Sequence, residues 1–188
     1  YVITKRLMNY DNLKISNQQA EDVLLSLFNI KGIATELPGE VDFNFRIKIE
    51  NDEGYILKIS RPYVNENYLD FQQKLLEFVQ TKRENLLAPR GIKDKKEKLI
   101  ASFIDDFGKE RKVRLLSWVS GRVWSSVNPQ LDHLRFSLGE QCGLLTEALQ
   151  GFDHQEANRS FEWDVAQSLW TKKYLNLFNN EEKSIIEY

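Results

Sequence analysis

Leu37-Pro38-Gly39-Glu40-Val41-Asp42-Phe43-Asn44-Phe45-Arg46-Ile47-Lys48-Ile49, followed by Tyr55-Ile56-Leu57-Lys58-Ile59-Ser60 and a long amphipathic stretch to Val79, decides how the chain is read. The cluster Pro38 to Asp42 is turn-forming. Phe43, Phe45, Ile47 and Ile49 then alternate with Asn44, Arg46 and Lys48, the period-2 pattern of a half-buried strand. Asn51-Asp52-Glu53-Gly54 turns the chain back, and Tyr55 to Ser60 pairs with the preceding strand as a hairpin. In that second strand Ile56 and Lys58 share one face while Leu57 and Ile59 share the other. A lysine among apolar strand residues is costly unless an anion meets it. Such an ammonium holds phosphate oxygens as a compact charge; the structural alternative is an edge-strand lysine that discourages aggregation.

Working outward, Asn17 is expected to cap a helix from Gln18 to Asn29, with Ala20, Val23, Leu24, Leu27 and Phe28 at helical spacing and Gly32 as a stop. Ile33 to Leu37 reads as the first strand. After the hairpin, Asn65 is a cap for a helix from Glu66 to Thr81, with Leu69, Gln72, Leu76 and Val79 along one face. Pro89 opens a fourth strand toward Ile92, Lys93 to Lys98 is a charged hairpin tip, and strands are expected at Leu99 to Ile104 and Arg111 to Val119. These segments predict an α+β fold: an antiparallel sheet of five or six strands with one helix laid against it. Beyond Gly121 the strand pattern stops. Asn128-Pro129 reads as a cap and first-turn proline, opening a helix to Gln150 marked by Leu131, Leu134, Leu138, Leu145 and Leu149; Trp163 to Phe178 and Glu181 to Tyr188 are also helical in character. The apolar pair Ile185-Ile186 at the chain end reads as a domain cut short.

The 188 residues, 41% hydrophobic and 29% charged, suit one compact globular body of one or two lobes. With 26 basic against 28 acidic residues there is no strong field, so neither nucleic acid nor anionic membrane is suggested as a partner. No apolar run approaches the roughly 18 residues of a membrane helix, and Tyr1-Val2-Ile3-Thr4 lacks a signal-peptide pattern. One cysteine, Cys142, excludes an intramolecular disulfide and fits a reducing cytoplasm. It falls between Leu138 and Leu145 and is expected as a small core side chain. His133 and His154 have no second ligand at helical spacing, which argues against a metal site.

Gly39 to Ile47, Tyr55 to Ile59, Leu69-Asp70-Phe71-Gln72 and Val113-Arg114-Leu115-Leu116-Ser117-Trp118-Val119-Ser120-Gly121 together resemble the aminoglycoside phosphotransferase and choline kinase superfamily, which is protein-kinase-like. The nearest resemblance is to its hydroxylysine-kinase-like branch and to the kinase-like region of proteins fused to a class III aminotransferase; Phe161-Glu162-Trp163-Asp164-Val165 is similar to a Trp-Asp pair of that branch. The resemblance implies a nucleotide-binding N-terminal lobe over residues 1–119 and the start of a helical C-terminal lobe over 120–188, with ATP and magnesium as cofactors. It places the turn from Gly39 through Glu40 to Asn44 over the nucleotide phosphates, with a single glycine where a glycine-rich loop has several. Lys58 would meet the α- and β-phosphates. Kinases pair that lysine with a glutamate on the next helix; here the matching residue is Gln72, with Glu66 and Glu77 as possible substitutes. Leu116, Ser117, Trp118 and Val119 would form the hinge that reads adenine.

Phosphoryl transfer also needs a base for the acceptor hydroxyl and carboxylates for magnesium. In this superfamily they come from a His-x-Asp loop and a later Asp strand. His133-Leu134-Arg135 and His154-Gln155-Glu156 offer no Asp two residues on, so no catalytic residue or metal ligand is assigned and the chain alone is not expected to be a competent kinase. Asp106-Phe107-Gly108 spells a magnesium-binding tripeptide but precedes the hinge, where a charged turn explains it; Gly108-Lys109 lacks the rest of a P-loop. Two readings compete: the ATP-binding portion of a kinase acting on a hydroxyl of an amino-alcohol or amino-acid-like substrate, or a non-catalytic kinase-like regulatory or assembly module of a larger enzyme such as an aminotransferase fusion. A third, an unrelated α+β binding domain, would be favoured if no nucleotide protects the protein from heat.

Overall fold

A computed structural model of the chain describes residues 14–159 and 164–186. Phe161-Glu162-Trp163 of the Trp-Asp motif lie outside them. In order along the chain come α1 (Asn17–Phe28), β1 (Ile33–Leu37), β2 (Phe43–Ile49), β3 (Asp52–Ile59), α2 (Glu66–Lys82), β4 (Gly91–Ile92), β5 (Ala101–Ile104), β6 (Glu110–Ser117) and α3 (Asp132–Ala148). The strands form one six-stranded antiparallel sheet in the order β1-β2-β3-β6-β4, with β5 also paired to β6. The expected α+β architecture, an antiparallel sheet with helices, is present.

Strand alternation decides what each face of the sheet meets. Phe45, Ile47, Leu57, Ile59, Val113 and Leu115 are fully buried and pack with Ala20, Val23, Leu24 and Phe28 of α1. The opposite pleat carries Asn44, Arg46, Ile56, Lys58, Arg114 and Leu116, with Asn44 opposite Lys58 and Lys58 opposite Arg114 in register. On α2, the side chains of Leu69, Gln73 and Val79 are buried.

Several expectations need correcting at the level of local chemistry. The cap of α1 is Ser16, not Asn17: its hydroxyl accepts from the Gln19 amide while the Gln19 side chain accepts from the Ser16 amide. This reciprocal box satisfies two orphan donors where Asn17 could satisfy one. The hairpin turns one residue pair earlier than expected, at Glu50-Asn51, with Asn51 at φ +62°, so Asp52 to Gly54 already belong to β3. Lys93 to Lys98 is not a hairpin tip, because β4 and β5 do not pair with each other: both lie along β6, at Leu115–Leu116 and Glu110–Val113 respectively. The loop is organised instead around the buried Asp94 carboxylate, which accepts from the amides of Lys96 and Lys98. Asp106-Phe107-Gly108 is a turn joining β5 to β6.

Past the sheet, Asn128-Pro129 is a cis peptide bond and α3 begins later, after Leu131, with no side-chain cap. Cys142 is exposed rather than a core residue, since α3 buries only Ala148 fully. A compact division of the chain falls between Asp153 and His154. In the second unit the expected helix is a run of 3-10 turns over Val165–Leu177, interrupted at Gln167, followed by a short helix, α4 (Asn180–Ile186). No helix among the described residues is long and apolar enough to cross a membrane.

Candidate functional site

Lys58 stands on the pleat opposite the core, and its side chain is 23% exposed. Its ammonium donates to Asn44 Oδ1 at 2.7 Å and lies 3.3 Å from Asp42 Oδ2. Asp42 lies in the turn that joins β1 to β2, and Asn44 near the start of β2 just after it. Asn44 closes that turn, its amide donating to the carbonyls of Pro38 and Asp42. The closure leaves no room at Gly39, where a Cβ would fall 2.2 Å from Asn44 Nδ2 and 2.5 Å from the Asp42 carbonyl oxygen. One glycine is therefore demanded by close approach rather than by several free amides.

Asp42 is the hub of the site. Its Oδ1 accepts from the buried Ser60 hydroxyl at 3.1 Å, and its Oδ2 accepts from Arg114 at 2.5 Å. The second arm of Arg114 donates to Gln72 Oε1 on α2. Burial lowers the guanidinium's hold on its proton and the Asp42 carboxylate opposes that, but an arginine stays charged under any ordinary condition. Turn, central strands and helix are thus joined through four side chains: Asp42, Lys58, Arg114 and Gln72. They line, with Glu40, Val41, Asn44, Val64, Tyr68 and Leu69, a cavity of about 280 Å³.

The structure answers which acidic group meets Lys58. Glu66 is occupied by Lys112 at 2.8 Å, which raises the Lys112 ammonium above its ordinary value. Glu77 lines a separate polar surface with Gln80 and Glu84. Gln72 serves Arg114. The lysine's carboxylate comes from the turn, and neither Asp42 nor Arg114 was singled out from the sequence for a role. The readable signal was register: Arg114 lies opposite Lys58 on the next strand, on the same pleat.

Leu116 to Val119 sit at the far end of β6. The Ser117 amide donates to the Arg90 carbonyl and its hydroxyl accepts from the Arg90 amide, both at 2.9 Å. The Trp118 amide donates to Gly54 O at 3.1 Å, and the Arg46 guanidinium stacks 3.8 Å over the Trp118 ring. Arg46 is held there by the carbonyls of Ile47, Glu53 and Tyr55. Ser117, Trp118 and Val119 line a second cavity, about 640 Å³, with Leu86, Leu87 and Arg90. So Glu40, Asn44, Lys58 and Gln72 are brought together in one cavity, Ser117 to Val119 border another, and Gly39 lines a third with Pro38, Asp42 and Arg61.

The model of a phosphotransferase enzyme family (APH) matches residues 33–184. No curated protein matches the sequence. Among solved structures, a microcompartment-associated aminopropanol kinase superposes with a TM-score of 0.60 at 16% identity, over 85% of this chain and 49% of its own. An amicoumacin kinase, solved in complex with AMP-PNP, Ca2+ and Ami, superposes with a TM-score of 0.66 at 15% identity, over 96% of this chain and 53% of its own. The chain thus spans about half the length of either structure.

Proposed function

The chain belongs to the phosphotransferase enzyme family, and on that premise we propose that it supplies the ATP-holding part of a kinase acting on a hydroxyl of an amino-alcohol or amino-acid-like compound. In this reading residues 1–119 are the nucleotide lobe and 120–188 open the helical lobe. The observation that carries it is the Lys58 ammonium, on the rim of a cavity roofed by the turn from Pro38 to Asn44 and still partly open to solvent. The donor there suits phosphate oxygens: a compact ammonium that Asn44 Oδ1 holds in place. Lys58 would hold the α- and β-phosphates, Asn44 would keep the ammonium aimed, and Gln72 would hold the site to α2 through Arg114. Leu116 to Val119 would face the adenine, with Trp118 kept flat by Arg46. ATP with its magnesium supplies the transferable phosphoryl group and charge neutralisation. The general base and magnesium ligands are assigned outside residues 1–188.

Titration with magnesium and ATP tests the reading. Lys58→Ala is expected to weaken binding about tenfold or more, the scale of one charge-assisted contact. Equal affinity for wild type and variant would remove the phosphate role.

A second reading, a non-catalytic kinase-like module of a larger enzyme such as a class III aminotransferase fusion, is favoured by one feature. Lys58 is neutralised by Asp42 of the β1–β2 turn and not by a carboxylate on the neighbouring helix, so the helix reaches the lysine indirectly, through Gln72, Arg114 and Asp42. A folded protein that binds no ATP at millimolar nucleotide would favour it.

A further inference from the structure

Two cations, Lys58 and Arg114, and two acidic residues, Glu40 and Asp42, line the cavity beneath the turn, and both cations are bonded to Asp42. Lys58 Nζ, at 3.3 Å, and Arg114 Nη2, at 2.5 Å, converge on the same oxygen, Asp42 Oδ2. Gln72, the other side chain on Arg114, is a neutral amide. The Arg114 side chain is 2% exposed, and its Nε is buried without a hydrogen-bond partner. A buried guanidinium that shares its counter-ion with a lysine is poorly compensated. Asp42 belongs to a turn whose neighbouring residues Glu40 and Val41 are exposed, so its carboxylate is carried by the part of the wall with the least packing. A phosphate group brings more charge and more acceptor oxygens than one carboxylate, and it fits guanidinium forks in two-bond geometry.

We infer that Arg114 is a second phosphate-holding cation beside Lys58, and that Asp42 is a surrogate anion which occupies both cations until phosphate displaces it. The inference rests on the nucleotide reading above. It assigns the turn a task beyond roofing the cavity: its carboxylate keeps two cations in place, and its departure presents them. Arg114, anchored by Gln72 on α2, is the fixed part of the grip, and Lys58, with its longer and more exposed stem, is the adjustable part.

Inorganic tripolyphosphate is the probe, because it carries the phosphate chain without adenine. Asp42→Asn removes the competing charge and is expected to bind tripolyphosphate about tenfold more tightly than wild type. Arg114→Lys keeps the charge but loses the fork, and is expected to bind about tenfold more weakly. Circular dichroism establishes that each variant is folded; should Arg114→Lys not fold, the direction of the Asp42→Asn change decides alone. Weaker binding by Asp42→Asn makes Asp42 a positioning residue for Lys58 and overturns the surrogate role. Unchanged binding in both variants, with Lys58→Ala still losing ATP, overturns the inference and leaves the kinase reading standing. A folded wild type that binds neither ATP nor tripolyphosphate overturns both.

Discussion

Asp105→Ala is expected to destabilise the sheet unit by about 3–5 kcal/mol, the cost of leaving a buried charge without its partner. Arg111 is fully buried and donates at 3.0 Å to Asp105 Oδ2, a carboxylate itself 4% exposed. Arg111 Nε also donates to the Ser60 carbonyl at 2.7 Å. The same carboxylate accepts from the amides of Phe107 and Lys109, so one side chain closes the β5–β6 turn and neutralises the arginine. Burial pushes the Asp105 carboxyl up, yet the Lys109 amide, the Arg111 guanidinium and the Phe107 amide together hold it below its ordinary value of 3.8. A group depressed in the folded state contributes stability above its unfolded value and loses it as pH falls through the folded one. The contribution is therefore full at neutral pH and fades below 3.8. Urea midpoints measured at pH 7 and near pH 3 check this: the gap between wild type and Asp105→Ala should shrink in acid. A gap below about 1 kcal/mol at pH 7 would mean that the pair behaves as a hydrated surface bridge.

Gly54→Ala is expected to cost about 2 kcal/mol or more and to loosen the segment around Trp118 at the same time. Gly54 sits at φ +76° in β3, beside the register irregularity between Ile47 and Ile49. A Cβ there would lie 2.1 Å from the Ile47 carbonyl oxygen, a backbone atom that cannot step aside cheaply. The Gly54 carbonyl is also the acceptor for the Trp118 amide, and Arg46 packs between the same bulge and the Trp118 ring. Displacing the bulge should shift both the thermal midpoint and tryptophan emission. Gly108→Ala is the control: its φ is +70°, but nothing lies within 4 Å of the added carbon, so only the dihedral cost of about 1–2 kcal/mol applies. Equal losses at the two glycines would refute the steric argument.

The sheet was legible because its faces obey a period of two: the alternation in Phe43 to Ile49 and in Tyr55 to Ile59 names the core residues correctly. Helix α2 was legible for a similar reason, with Asn65 as a local cap whose side chain accepts from the Asn67 amide. What escaped depends on partners distant in sequence. Asp94 and Asp105 read as members of charged runs, yet each is buried because backbone amides converge on it. The pairing of β4 and β5 with one strand was hidden because a two-residue strand carries no periodicity. Around Lys58, Asn44 and Gln72 were singled out on resemblance, but Gln72 bonds to Arg114. Spacing along a helix says which face a residue occupies, not which of two cations it will meet. Asp42 was visible as a turn residue, and only the closed turn turns it inward.

Helix α1 ends five residues before the family match begins at residue 33, yet three hydrogen bonds bolt it to the matched stretch. Its Gln19 side chain donates to Asp106 at 2.6 Å, Glu21 accepts from the Ala34 amide at 2.9 Å, and the Leu27 carbonyl accepts from the Lys95 amide at 3.0 Å. Evolutionary recurrence and self-sufficient folding therefore have different borders here. A chain trimmed to the recurring stretch would present Ile47, Leu57 and Leu115 as a bare oily floor, inviting association with any similar surface. The prefix is structural cladding, and any excised version of this protein must carry it.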